Sequence, residues 1–256
     1  MAGDSWLACR ASEALRLRRS LAAAGAILGF LSALVPSGFT VYPGGAGLFG
    51  GIGAACAGSA VCAPLILPFL VSSAVGKEDD NRITVAYFLS GVAPARFRGG
   101  ACGVALLQWG VLVAGALVAG AFTGLGDGLR MSDPVGGVGR LVLPLIALTA
   151  TSAYTFALAS GIAVNASGRL RGLAANYGLI VVFFVLLAFG PQSAVAGIAH
   201  FSPPAPLWSA LPVEVTGRFT ISVTSEEMFI VAACWAIVAA VAFLRSVRRG
   251  GLSSLA

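Results

Sequence analysis

Long stretches without a charged side chain constrain the fold of this chain more than any other feature. They cover residues 20–76, 99–126, 141–168, 172–213 and 228–244. An ionised side chain at the centre of a bilayer costs roughly 2.5–3.5 kcal/mol even on lenient scales, so membrane-crossing helices exclude such residues. The chain is 58% hydrophobic and 10% charged, with a mean hydropathy of +0.93, which lies far outside the range of soluble domains. The sequence therefore predicts an integral membrane protein.

The lengths of these stretches predict the number of helices. A spanning helix needs about 20 apolar residues, so the stretch 20–76 has room for two helices, separated at the turn-forming segment 36–45, PSGFTVYPGG. We predict an all-α fold with six transmembrane helices in a single transmembrane domain, residues 1–256. The predicted spans are residues 21–41, 47–75, 99–124, 141–163, 173–190 and 228–245.

Basic residues indicate the orientation of the spans. If the amino terminus is cytoplasmic, thirteen of the 16 basic residues fall in cytoplasmic segments, and only Arg130, Arg140 and Arg218 fall outside. Membrane proteins carry such an excess of Lys and Arg on the cytoplasmic side. We therefore predict that both termini are cytoplasmic. The net charge of +6 then follows from topology and gives no support to nucleic-acid binding.

Two segments outside the spans are predicted to lie at the membrane surface. Residues 1–19 carry arginines together with Trp6 and Leu15, which favours a basic amphipathic helix at the interface; the alternative is a disordered positive tail. Residues 191–212 are external yet apolar, so we expect a re-entrant or capping segment. A seventh span there is disfavoured, because prolines interrupt it and it would place the carboxy-terminal arginines outside.

The cytoplasmic connector after the second span, residues 77–98, reads KEDDNRITVAYFLSGVAPARFR. Val85, Phe88, Leu89 and Val92 recur at the spacing of one apolar face of a helix. A short amphipathic helix between two spans can lie on the membrane surface or can dock on a soluble partner. Both uses fit the residues alone.

The predicted spans lack the charged and catalytic residues that a self-powered transporter or an enzyme would need. No charged side chain or histidine lies within the apolar interior of the predicted spans, which disfavours a carrier driven by an ion gradient. The chain has no GxxxxGK[ST] phosphate loop, and no catalytic set can be assembled among the spans. We predict that the protein is not an enzyme and that any work it does is powered by another protein.

Polar and small residues within the spans have structural and functional interpretations. Thr149, Ser152 and Thr155 of the fourth span predict hydrogen bonds between helices or back to their own helix; alternatively, they line a substrate path. In the second span, small residues at every fourth position predict a groove for another helix, and two prolines predict a kink. The groove residues are Gly47, Gly51, Ala55 and Ser59, and the prolines are Pro64 and Pro68.

This layout resembles the ABC-2 type permease, the membrane subunit of an ATP-binding-cassette exporter. The family has six spans, cytoplasmic termini, a basic amphipathic lead-in helix, and an acidic-then-helical loop after the second span. The segments APLILPFLVSSAVGKED and HFSPPAPLWSAL are similar to the family's approach to that loop and to its external proline segment. In the connector the matching residues are Glu78, Asp79 and Asp80, any of which could correspond to the family's glutamate, then Thr84, the stripe Val85, Phe88, Leu89 and Val92, and finally Pro94 and Arg96.

The resemblance implies a specific role for the connector. Its helix, residues 83–94, would be the coupling helix that docks on a separate ABC ATPase subunit, present in two copies. ATP and Mg²⁺ would bind to that partner, and this chain would bind no cofactor. A second permease copy, in a homodimer or a related heterodimer, would complete the substrate path through the lipid bilayer.

The implied function is export of a substrate, for which we favour an amphiphilic molecule. The composition, with 34 glycines and one lysine among the 16 basic residues, is typical of a GC-rich bacterial genome, so we expect a multi-pass protein of the bacterial cytoplasmic membrane. The alternatives are a non-transport assembly factor, a membrane-embedded enzyme and, less favoured, a secondary carrier. The sequence does not discriminate among substrates.

Overall fold

The computed structural model describes residues 17–34, 47–80, 94–128, 139–166 and 168–189, together with Ser12 and nine residues between Ile230 and Arg245. This part of the chain is all-helical, which confirms the predicted class at that level. Each helix overlaps one of the first five predicted spans. The helices are α1 (Arg18–Leu34), α2 (Leu48–Asp80), α3 (Pro94–Gly128), α4 (Gly139–Asn165) and α5 (Arg169–Phe189).

Length and apolar composition identify fewer candidate membrane spans than the sequence predicts. Within the described residues, Phe97–Gly126 is long and apolar enough to cross a membrane. A second candidate exists if Leu48–Ala60 and Cys62–Gly76, which meet at 56°, form one bent span. One or two such helices are weak support, because the core helix of a soluble protein meets the same criterion. The prediction of six spans is not confirmed by this criterion.

The bend in α2 lies where its prolines predict one. Pro64 has no N–H to donate to the carbonyl of Ala60, and its ring clashes with that carbonyl. The helix axis changes direction by 56° between Ala60 and Cys62, one turn before Pro64. The predicted kink is therefore confirmed, and its cause is local to the sequence.

The described helices assemble around α2, which contacts each of the other four. The hydrophobic core lies where α2, α3 and α4 meet, and many of its members are small. Small side chains bring helix backbones close together, which increases van der Waals contact along the whole interface. The largest fully buried apolar side chains are Leu67 and Val71 of α2.

Glycines bring α3 into backbone contact with its neighbours. A Cβ added at Gly51 of α2 would lie within 3.0 Å of backbone atoms of Gly120 and Gly124, and one added at Gly29 of α1 would meet the backbone of Ala116. The small-residue groove predicted on the second span is thus filled by α3. Any larger side chain at Gly51 would force the two helices apart.

Successive helices from α2 to α5 run in opposite directions. Along α2 and α5, Gly76 lies against Arg169 and Ser72 bonds Asn176. Along α3 and α4, an early residue of one helix meets a late residue of the other, in the pairs Arg98 with Val164 and Trp109 with Ser152. Along α2 and α3 the pairs are Gly47 with Gly124 and Ala55 with Gly120. One end of the assembly therefore gathers the end of α2, the start of α3 and the α4–α5 connection.

Candidate functional site

The connector between α2 and α3 is shorter than the sequence predicts, because both helices extend into it. Glu78, Asp79 and Asp80 form the last turn of α2, and α3 begins at Pro94, with Arg96 in its first turn. Proline is favoured at the first helical position, where its missing N–H would have no partner in any case. Thr84, Val85, Phe88, Leu89 and Val92 lie outside the described residues, so the stripe and the helix at 83–94 remain predictions.

A tight turn joins α4 to α5 at the end of the assembly from which the connector leaves. Gly168 has a φ of 111°, a conformation that side-chain-bearing residues rarely adopt. The N–H of Ala166 donates to the carbonyl of Ala163, and the N–H of Gly172 donates to the carbonyl of Gly168. These bonds end one helix and start the next within three residues. The positions of Val164 and Arg169 on either side of the turn are thereby fixed relative to each other.

Arg169 contacts α2 in two ways. Its guanidinium carbon lies 5.9 Å from the centroid of the Phe69 ring, within the range of a cation–π interaction. Its backbone lies so close to Gly76 that a Cβ added there would come within 3.0 Å of it. The start of α5 is therefore seated on the last apolar turns of α2.

Arg98 connects the start of α3 to the end of α4. Its Nη1 donates to the carbonyl oxygen of Val164 at 3.5 Å. Val164 is one of the last four residues of α4, whose carbonyls have no partner within their own helix. A cation at the carboxyl end of a helix also interacts favourably with the helix dipole. Arg98 therefore provides both a hydrogen bond and a compensating charge.

Two polar side chains of α5 reach α2 further along the interface. The buried Asn176 donates from Nδ2 to Ser72 Oγ at 3.1 Å, and the hydroxyl of Tyr177 donates to the carbonyl oxygen of Leu65. Hydrogen bonds between helices are effective where water is excluded, because neither group then has a better partner. They fix the rotation of α5 on α2.

The three residues proposed for a substrate path have different surroundings. Thr149 is exposed and donates to the carbonyl of Leu145 in its own helix at 2.8 Å. Ser152 accepts a hydrogen bond at 3.1 Å from Nε1 of Trp109 in α3. Thr155 is buried, and among the described residues its hydroxyl has no hydrogen-bond partner. Thr149 and Thr155 therefore do not line one common surface of α4.

Buried hydroxyls without partners also occur elsewhere in α2 and α4. Among the described residues, those of Ser59 and Ser73 in α2 and of Ser160 in α4 make no hydrogen bond. By contrast, Ser32 and Thr123 bond the carbonyls of their own helices. The interior of the assembly therefore contains hydroxyl groups that could still donate or accept a hydrogen bond.

Several contacts between the helices were not predicted from the sequence as parts of a site. Arg98 and Arg169 contribute to the sequence analysis only through the count of cytoplasmic basic residues, and Trp109 does not figure in it at all. A signal exists for Arg98: a cation near the amino end of its own helix is unfavourable there, which suggests an external partner. The identity of that partner depends on the pairing of α3 with α4.

Comparison of the chain with protein-family models, with curated proteins and with solved structures finds no match. The likeness to ABC-2 type permeases therefore stands on the residues and the layout of this chain alone.

Proposed function

We propose that this chain is the membrane subunit of an ATP-driven exporter. In this proposal six helices cross the bilayer with both termini in the cytoplasm. A separate ATPase subunit docks on residues 83–94 and supplies the energy to move a substrate outward. An amphiphilic molecule that enters from the inner leaflet or the cytoplasm is the substrate class we favour.

The apolar exterior of the described helices supports a membrane location. Large apolar side chains on the outer surface include Phe122, which is 72% exposed, and Ile27, which is 62% exposed. In the most apolar window of Phe97–Gly126, 39% of the residues are buried, so the remainder of that window is at least partly exposed. Soluble monomers rarely expose apolar surface on this scale. Lipid contact accounts for it directly.

The observation that carries the proposal is the composition of one end of the assembly. At that end Arg98, at the start of α3, meets the end of α4, and the end of α2 meets Arg169 at the start of α5. This grouping agrees with the cytoplasmic side assigned from the basic residues. In this proposal the docking connector is attached at both ends to packed helices on the cytoplasmic side, where ATP is available.

The need for a partner follows from what the sequence lacks. The chain has no phosphate loop with which to hydrolyse a nucleotide, and its predicted spans hold no interior charge with which to bind a coupling ion. Transport by this chain would therefore depend on a second protein. An apolar helix face in an otherwise polar connector is a surface suited to such a partner.

The proposal is tested by changing the stripe. In the full-length chain we expect Val85→Asp with Leu89→Asp to abolish co-purification with the ATPase, because two charges would enter an apolar interface. Membrane insertion, measured by resistance to alkaline extraction, should be unchanged, since the connector lies outside the spans.

The matched control is Ala86→Asp with Ser90→Asp, which adds the same charge at the same spacing but beside the stripe. We expect this variant to keep the partner. Equal partner binding by the wild type and the stripe variant, in reconstituted membranes that transport equally well, would contradict the proposal.

A further inference from the structure

The α4–α5 turn contacts both of the helices from which the connector emerges. On one side Arg169 is seated against Gly76, near the end of α2. On the other side Val164 accepts the hydrogen bond of Arg98, near the start of α3. We call these four residues, Gly76, Arg98, Val164 and Arg169, the turn clamp. Through it the two ends of the connector are tied to one element that lies far from them in sequence.

The chemistry of Arg98 explains why this tie forms. Near the amino end of α3, the dipole of its own helix disfavours a positive charge. Because α4 runs in the opposite direction, its carboxyl end lies beside this position and presents carbonyls that lack helical partners. The guanidinium therefore gains a favourable interaction with the dipole of α4, which offsets its unfavourable interaction with the dipole of α3. A neutral side chain at position 98 would lose the charge contribution.

The other half of the clamp depends on backbone fit. Gly76 has no side chain, and the backbone of Arg169 occupies the space that a Cβ would need. The positive φ of Gly168 then directs the chain from α4 into α5. The contact to α2 and the hydrogen bond from α3 are thus held on opposite sides of a three-residue turn.

We propose that Arg98 is a positioning residue that makes the two ends of the connector and the α4–α5 turn move as one unit. Force applied to the connector by a docked ATPase then reaches α4 and α5 as well as α2 and α3. This inference rests on the proposed function for its mechanical consequence, whereas the tie itself is a property of the isolated chain.

The test uses the full-length chain in lipid nanodiscs with Arg98→Gln and Arg98→Lys. Arg19→Gln is the matched control, since Arg19 is an exposed arginine of α1 on the same predicted side. In the chain alone, amide hydrogen exchange over residues 161–166 should accelerate about threefold to tenfold in Arg98→Gln, the size expected for loss of one ordinary hydrogen bond, because the 3.5 Å separation is long for a bond to a charged group. Arg98→Lys should exchange more slowly than Arg98→Gln, and Arg19→Gln should match the wild type.

With the ATPase added, Arg98→Gln should bind it as tightly as the wild type but should lose most of the ATP turnover that the membrane subunit stimulates. Arg98→Lys should recover much of that turnover. Unchanged exchange and unchanged turnover in Arg98→Gln would overturn the inference. So would a joint loss of partner binding and turnover without rescue by lysine, because that pattern indicates a merely structural role. If the wild type binds no ATPase, the proposed function fails, and the exchange measurement alone decides whether the clamp exists.

Discussion

Two asparagines show how the same side chain can have different structural roles in this molecule. Asn165 donates to the carbonyl of Gly161 in its own helix, at 2.6 Å. Asn176 is 3% exposed and donates both to Gly172 in its own helix and to Ser72 Oγ in α2, each at 3.1 Å. Asn176 therefore contributes to the joining of two helices, whereas the hydrogen bond of Asn165 is local.

We predict that Asn176→Leu lowers the free energy of unfolding by about 1–2 kcal/mol, because the buried hydroxyl of Ser72 loses its partner. Asn165→Leu should change it by less than about 0.5 kcal/mol, as is usual for surface substitutions. Unfolding in mixed micelles at increasing denaturing detergent measures both. A double-mutant cycle with Ser72→Ala should give an interaction energy of roughly 1 kcal/mol. Equal losses at the two asparagines would contradict this account.

Pairings of this kind lie beyond reasoning from sequence. The general expectation that polar residues in the spans bond between helices or back to their own helix agrees with Thr149, Ser152 and Asn176. It does not hold for Thr155, whose buried hydroxyl has no hydrogen-bond partner among the described residues. The partner of Asn176, however, lies 104 positions earlier in the chain. Its identity depends on which helices are neighbours and on their relative rotation, and no local pattern encodes either.

At the scale of elements, charge-free stretches predict where helices form but not where they end. The second and third spans are predicted at 47–75 and 99–124, whereas α2 covers Leu48–Asp80 and α3 covers Pro94–Gly128. Hydropathy reports only the apolar part of a helix. Backbone hydrogen bonding continues into polar sequence until a breaker or a cap intervenes, so the acidic residues of the connector become the last turn of α2.

The interface between α2 and α3 predicts that Gly→Ala substitutions have different effects on the free energy of unfolding inside and outside the interface. Gly51→Ala should lower the free energy of unfolding by about 1–3 kcal/mol, because the added methyl group meets the backbone of α3 and the helices must separate. Gly110→Ala should leave it unchanged or raise it by up to about 1 kcal/mol, because position 110 is open and alanine favours the helix. Thermal or detergent unfolding of the two variants provides the comparison.

Gly103→Ala serves as a second control within α3, since an added Cβ there also meets nothing within 4 Å. A loss of stability at Gly51 no larger than at these two positions would mean that α2 and α3 do not approach as closely as described.

For the whole molecule, the sequence predicts the helical class, the location of five helices, the bend in α2 and the groove that α3 fills. It does not predict that α2 contacts every other described helix, or that the α4–α5 turn meets both ends of the connector. Those features depend on how separate helices associate. The membrane location and the partner rest on composition, on charge and on the exposed apolar surface, and so they need a test on the intact assembly.

Native mass spectrometry of the complex extracted from its own membrane, with each subunit identified by peptide sequencing, tests the central claim most directly. The account predicts two membrane subunits, at least one of them this chain, bound to two copies of a protein that contains a GxxxxGK[ST] loop. It also predicts that the Val85→Asp with Leu89→Asp variant is recovered without that protein. Recovery of the wild-type chain from the membrane by itself, or in an assembly that holds no nucleotide-binding protein, would contradict the account.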